Sequence, residues 1–151
     1  MGDNMNEIIN NDLKEAMKSK DSFKLGVIRM VKGALQLEKI SKKKELSDEE
    51  VIDVIAKQIK IRKDSANEFE KAGRMDLAES TKKEIEILSL YMPEQLSNDE
   101  LVGIINEVFD IVKPSSAKDM GVIMREVTPK VRGKADMGEV SKIIKEKLNN
   151  L

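Results

Sequence analysis

Ser47-Asp48-Glu49-Glu50-Val51-Ile52-Asp53-Val54-Ile55-Ala56-Lys57-Gln58-Ile59 sets a hydroxyl residue three positions ahead of a glutamate and follows the pair with an apolar repeat. Ser47 with Glu50 is a capping box, in which each side chain satisfies an N–H that a helix start leaves without a partner. Ile52, Ile55, Ile59, Ala66 and Phe69 recur at helical spacing and Gly73 supplies a stop, so the pattern predicts one long helix. A half-buried strand requires strict alternation, and no sustained alternation occurs anywhere along the chain. The sequence therefore predicts an all-α protein.

Working outward, Ile8, Ile9, Leu13, Ala16 and Met17 predict a first short helix, and Leu25, Ile28, Val31 and Leu35 one face of a second. Gly26 and Gly33 lie two turns apart on that second helix. Each costs roughly 1 kcal/mol relative to alanine, so the pair either admits another helix closely or occupies a tolerant surface. Lys39 to Lys44 reads as a lysine-rich loop. Beyond the long helix, Leu77, Thr81, Ile85, Leu88 and Met92 mark a fourth, ended by Pro93. Ser97 with Glu100 forms a second capping box, and three shorter helices follow, separated by Pro114 and by a turn at Pro129. The predicted organisation is a helical N-terminal domain over residues 1–95 and a three-helix tail domain over residues 96–151. A unit of the latter size sits near the lower limit for independent folding and is expected to lean on a neighbour or a partner.

Composition excludes much chemistry. The 151 residues contain no cysteine and no histidine, which removes disulfides, thiolate nucleophiles, Cys/His zinc sites and histidine bases together. The acids Asp48, Glu49, Glu50 and Asp53 are what a helix dipole attracts to a first turn, and no phosphate-binding glycine loop is present. The expectation is a protein without catalytic residues, metal or cofactor. No apolar run is long enough to cross a bilayer, the start Met1-Gly2-Asp3-Asn4 is acidic, and Asn6 breaks the myristoylation pattern at Gly2. A cytoplasmic location without a membrane partner is expected. Met120, Met124 and Met137 read as core filling.

Lys and Arg number 27 against 28 Asp and Glu, so a polyanion partner has to be argued from local distribution. Ser97 to Val112 holds Asp99, Glu100, Glu107 and Asp110 without a cation, whereas Lys113 to Lys134 holds six cations against Asp119 and Glu126. Within that second stretch Pro129-Lys130-Val131-Arg132-Gly133-Lys134-Ala135-Asp136 reads as a turn between helices. Pro129 fixes its start, Gly133 permits a backbone conformation closed to other residues, and Asp136 caps the helix that follows. Antiparallel packing of the flanking helices would bring Lys118, Lys130, Arg132, Lys134 and Lys142 onto one basic face. Such a face suits the phosphates of a folded RNA, while the absence of interleaved aromatics argues against base stacking. The bland reading is a solvated loop. A second cationic group, Arg29, Lys32, Arg62, Lys63 and Arg74, is expected to be structural, with Arg62 near Asp64 and Glu68, and Arg74 near Asp76.

Two sets of residues carry a resemblance. Asp119 to Met124 followed by Pro129 to Asp136 resembles the C-terminal tail domain of the B subunit of tRNA-dependent amidotransferases. Arg62 to Ser65, Phe69, Gly73 to Leu77, Glu84-Ile85 and Tyr91-Met92-Pro93-Glu94-Gln95-Leu96-Ser97 resemble the N-terminal part of the free-standing YqeY-like proteins that share this domain. The resemblance implies a non-catalytic module that contacts tRNA by shape and acts beside an amidotransferase or the translation apparatus. Two alternatives stand beside it. One is a protein interaction module docking on a subunit of either system; the other is association with a carbon–nitrogen ligase family without an active site of its own.

Overall fold

Asn4 and Asp21 open the first two helices by one device: a side-chain oxygen accepts from the third residue on, Glu7 N at 2.8 Å and Lys24 N at 3.1 Å. The computed structural model describes residues 4–151, so the acidic start and the pattern at Gly2 lie outside the described residues. Helix α1 runs Met5–Lys18, α2 Ser22–Lys42, α3 Asp48–Lys71 and α4 Met75–Ser89. After a break come α5 Asn98–Val112, a 3-10 turn Ala117–Asp119, α6 Met120–Val131 and α7 Met137–Asn149, with no strand among the described residues. The all-α expectation holds.

The chain forms two compact units, dividing between Met92 and Pro93, slightly ahead of the division expected at residues 95 and 96. The reason is that Gln95 and Leu96 bond to residues of the second unit, as described below. In the first unit Ile9, Ile28, Val31, Val51, Ile55 and Leu88 are buried together. In the second the core comprises Leu101, Ile105, Ile123, Val127, Val140 and Ile144 with their neighbours. Burial of each such side chain is worth about 1.5–3 kcal/mol, and with so few aromatics these aliphatic cores carry each unit.

Both capping boxes form. Ser47 Oγ accepts from Glu50 N at 3.2 Å while Glu50 Oε1 accepts from Ser47 N at 3.0 Å, and Ser97 with Glu100 repeats the arrangement at 3.1 Å in both directions. The stripe of α3 is rotated slightly from its expected position: Val51 is fully buried and Ile52 only half-buried. Gly73, at φ 74°, provides the expected stop.

Three local expectations are corrected. Lys39 to Lys42 belong to α2 and not to a loop, since lysine is a good helix former and a cation is favoured in a last turn. Lys42 Nζ lies 3.7 Å from Glu38 and 2.7 Å from Glu50, and Lys43 at φ 57° turns the chain away. Arg62 pairs not with Asp64 or Glu68 but with Glu84 on α4 at 3.3 Å, with Gln58 holding the other side of the guanidinium at 2.9 Å. Arg74 does pair with Asp76, at 3.3 Å. Helix α4 stops at Ser89, ahead of Pro93, and tightens into i→i+3 bonds that end with Met92 N on Ser89 O at 3.1 Å. This brings Tyr91 inside, where its hydroxyl donates to Asp12 Oδ2 at 2.5 Å. Burial, reinforced by the Asp12 carboxylate, pushes the phenol well above its ordinary range.

Candidate nucleic-acid interface

The expected turn begins later than its sequence suggests. Pro129 lies inside α6, whose last residue is Val131. A proline there removes one bond to the carbonyl of Arg125, and the helix continues because Val127 and Val131, both fully buried, hold this turn against the core. The turn proper is Arg132 to Ala135. Arg132 leaves helical geometry at ψ 122°, and Gly133 takes φ 75°, the left-handed conformation expected of it. Lys134 N and Ala135 N both donate to Val131 O, at 2.8 and 3.2 Å. Asp136 then caps α7, its carboxylate accepting from Gly138 N at 2.9 Å.

Two residues that sequence reasoning gave no role fasten this turn. Gln95 Nε2 donates to Gly133 O at 2.8 Å and to Pro93 O at 2.9 Å, and Leu96 N donates to Lys134 O at 2.8 Å. The Gly133 and Lys134 carbonyls are thus satisfied, and the backbone that carries the cations is held from outside its own helices. The available signal is the family resemblance itself, which includes Gln95 and Leu96 as well as Pro129 to Asp136.

Of the five expected cations the structure gathers three. Lys130, Arg132 and Lys134 are exposed within one short stretch. Lys118 sits in the 3-10 turn before α6, so a helix of about 18 Å separates it from the turn. Lys142 projects from the outer face of α7, opposite the buried Val140, Ile144 and Leu148, and shares that face with Glu139 and Glu146. Lys130, Arg132 and Lys134 thus lie on or beside the turn, with Lys118 ahead of α6 and Lys142 on the outer face of α7. Among the described residues neither Lys130 nor Lys134 closes an ion pair. Asp119, next to Lys118, is engaged elsewhere: its carboxylate accepts from Ser115 N at 2.7 Å and Ser116 N at 3.3 Å, and these backbone bonds hold its pKa below the ordinary value. Arg125, exposed on α6, is a further cation that the spacing did not single out. Lys147 is turned the other way, its ammonium 4.9 Å from the centre of the Phe109 ring.

No group of acids that could hold a metal ion occurs among the described residues, and no helix among them is long and apolar enough to cross a membrane. Glu50, the most buried acid, is occupied by Lys42 Nζ at 2.7 Å, Lys44 Nζ at 3.2 Å and the Ser47 amide. The Lys42 ammonium first, and the Ser47 amide next, bring its pKa down to about 2.

Comparison with known proteins adds a family. An uncharacterized protein of Schizosaccharomyces pombe is 32% identical over 95 residues, 63% of this chain and 77% of its own length. A Kluyveromyces lactis protein named altered inheritance of mitochondria protein 41, mitochondrial, is 34% identical over 132 residues, 85% of this chain and 70% of its own. Its Candida glabrata namesake is 40% identical over 85 residues, where this chain spans 47% of the relative. The sequence model of the Yqey-like proteins matches residues 6–148, nearly the whole chain, and the protein belongs to that family.

Proposed function

We propose that this chain is a non-catalytic RNA-binding module, with tRNA as its first candidate ligand, acting beside a tRNA-dependent amidotransferase or the translation apparatus. The observation that carries the reading is the cluster of Lys130, Arg132 and Lys134 on a turn whose backbone is fastened by Gln95 and Leu96. A fixed backbone lowers the ordering cost of binding, and outward lysine and arginine side chains meet phosphates without reading bases. A subunit of the same machinery is the protein partner we propose. The cytoplasm is the compartment we propose, although two of the relatives carry the word mitochondrial in their names.

The experiment is a salt titration of tRNA affinity. Three phosphate contacts give a log–log slope of about −3, at roughly 0.9 per contact. Arg132→Glu with Lys134→Glu lowers affinity and flattens the slope while the helical circular dichroism stays unchanged. Lys118→Glu, beyond the cluster, has a smaller effect. Equal affinities for wild type and the double variant across the titration would overturn the reading, as would ammonia release from glutamine by the purified protein.

A further inference from the structure

Phe23, Gly26, Met30, Gly33, Leu37 and Ile40 follow one another along α2 at steps of three, four, three, four and three. That is the seam of a coiled coil. It lies on the side of α2 away from Val27, Ile28, Val31 and Leu35, which are buried in the first unit. Every member is exposed, Leu37 by 71% and Ile40 by 62%, and the seam contains no charge. Single exposed apolar residues are ordinary on a surface; a periodic seam from Phe23 to Ile40 along one helix is not. The two glycines are anomalous as well. A Cβ at either would meet nothing within 4 Å, so no contact inside this chain requires the loss of helix stability that they impose.

We propose that this face of α2 packs against the same face of a second copy of the chain, antiparallel, about a two-fold axis passing between Val31 and Lys32. In that register Leu37 of one copy meets the partner's Gly26, Met30 meets the partner's Gly33, and Phe23 meets the partner's Ile40. Each glycine is a hole facing a large side chain, and the same sequence supplies both halves of the match. Parallel packing sets glycine on glycine and leaves gaps where the antiparallel arrangement has contacts. Along one rim Arg29 faces the partner's Gln36, with no like charges opposed. Arg62, whose guanidinium touches Met30 Sδ at 3.6 Å, is already paired with Glu84. From Phe23 to Ile40 the seam is about 26 Å long and helix diameter sets its width, so two copies bury on the order of 600 Å². Stable dimers bury at least about 1,200 Å², and this one is accordingly weak and dependent on concentration.

Sedimentation velocity of the full chain without RNA, from low micromolar to near-millimolar loading, tests the assembly. Wild type shifts from monomer to dimer, Leu37→Lys stays monomeric with unchanged helix content, and Gly33→Ala dimerises less. Measured at low loading, Gly33→Ala melts higher by about 4–8 °C, because the monomer gains a better helix former. The chain has no native cysteine, so cross-linking reads the register without background. A mixture of Gly26→Cys and Leu37→Cys chains forms a disulfide between the two species, and neither variant alone does. A wild type that is monomeric throughout, a Leu37→Lys variant that still dimerises, or a disulfide within Gly26→Cys alone overturns the proposal. Loss of tRNA binding in monomeric Leu37→Lys would assign the seam to RNA instead.

Discussion

The two units use charge differently. In the first, ion pairs join helices: Lys42 and Lys44 of the α2 end reach Glu50 on α3, Arg62 on α3 reaches Glu84 on α4, and Glu70 on α3 meets Lys82 on α4. In the second, the helices meet through apolar side chains, with the Lys147 ammonium over the Phe109 ring and the Ser141 hydroxyl on Met124 Sδ, while the caps and the turn are fastened to backbone. Glu100, Asp119 and Asp136 cap, and Gln95 and Leu96 bond the carbonyls of a turn. Cations engaged in ion pairs stabilise a fold at the cost of their availability. The cluster at Lys130 to Lys134 keeps its lysines outward because main-chain hydrogen bonds already hold the turn beneath them.

The largest test of this contrast is cavity creation. Leu88→Ala in the first core and Ile105→Ala in the second should each cost about 2–5 kcal/mol. Differential scanning calorimetry should then show one transition moving while the other stays; a single transition that shifts with either variant would show that the units share their stability. Next in size is Gln95→Ala, which removes the donor to Gly133 O and should cost about 1 kcal/mol. Its effect should be local, with faster amide exchange at Leu96, Lys134 and Ala135 and weaker tRNA binding though no cation is lost. Protection unchanged at these amides would mean that Leu96 alone holds the turn.

The smallest effect is the most diagnostic of the inward use of charge. Glu50 is held to about 2 in the folded protein, below its ordinary value of 4.5. Its contribution to stability is therefore present above pH 4.5 and is lost as pH falls toward 2. Urea melts of wild type and Glu50→Gln should differ at neutral pH and converge over that window. Added salt should narrow the neutral-pH gap, because the lysines that face Glu50 are partly exposed. A gap that persists below pH 2 would place the difference in the capping box and not in the ion pairs.

Helices announced by local chemistry were legible from sequence. Ser47 with Glu50 and Ser97 with Glu100 marked two starts correctly, and Gly73, Gly133 and Asp136 took the conformations their residue types suggest. Where the structure departs from the sequence reading, tertiary partners decide. Lys39 to Lys42 looked like a loop because four of the six residues from Lys39 to Lys44 are lysines, yet Glu38 and Glu50 make the last turn of α2 worth forming. Pro129 looked like a helix end, yet the burial of Val127 and Val131 outweighs one missing bond. Charge along a sequence places Lys118 ahead of α6 and Lys142 within α7, but how far their side chains stand from those of the turn depends on packing that local reasoning does not reach. The partner of Arg62, 22 positions away, was equally out of reach of local reasoning.

The bond from Tyr91 to Asp12 spans 79 positions and brings the last residues of the first unit against its first helix. A module whose beginning and finish lie side by side can be spliced into another polypeptide, or rejoined with new termini, without its helices having to be rethreaded. On that ground a circularly permuted first unit, linked across this junction and opened in the segment after Lys42, should still fold, and the same architecture can travel as a cassette between longer proteins.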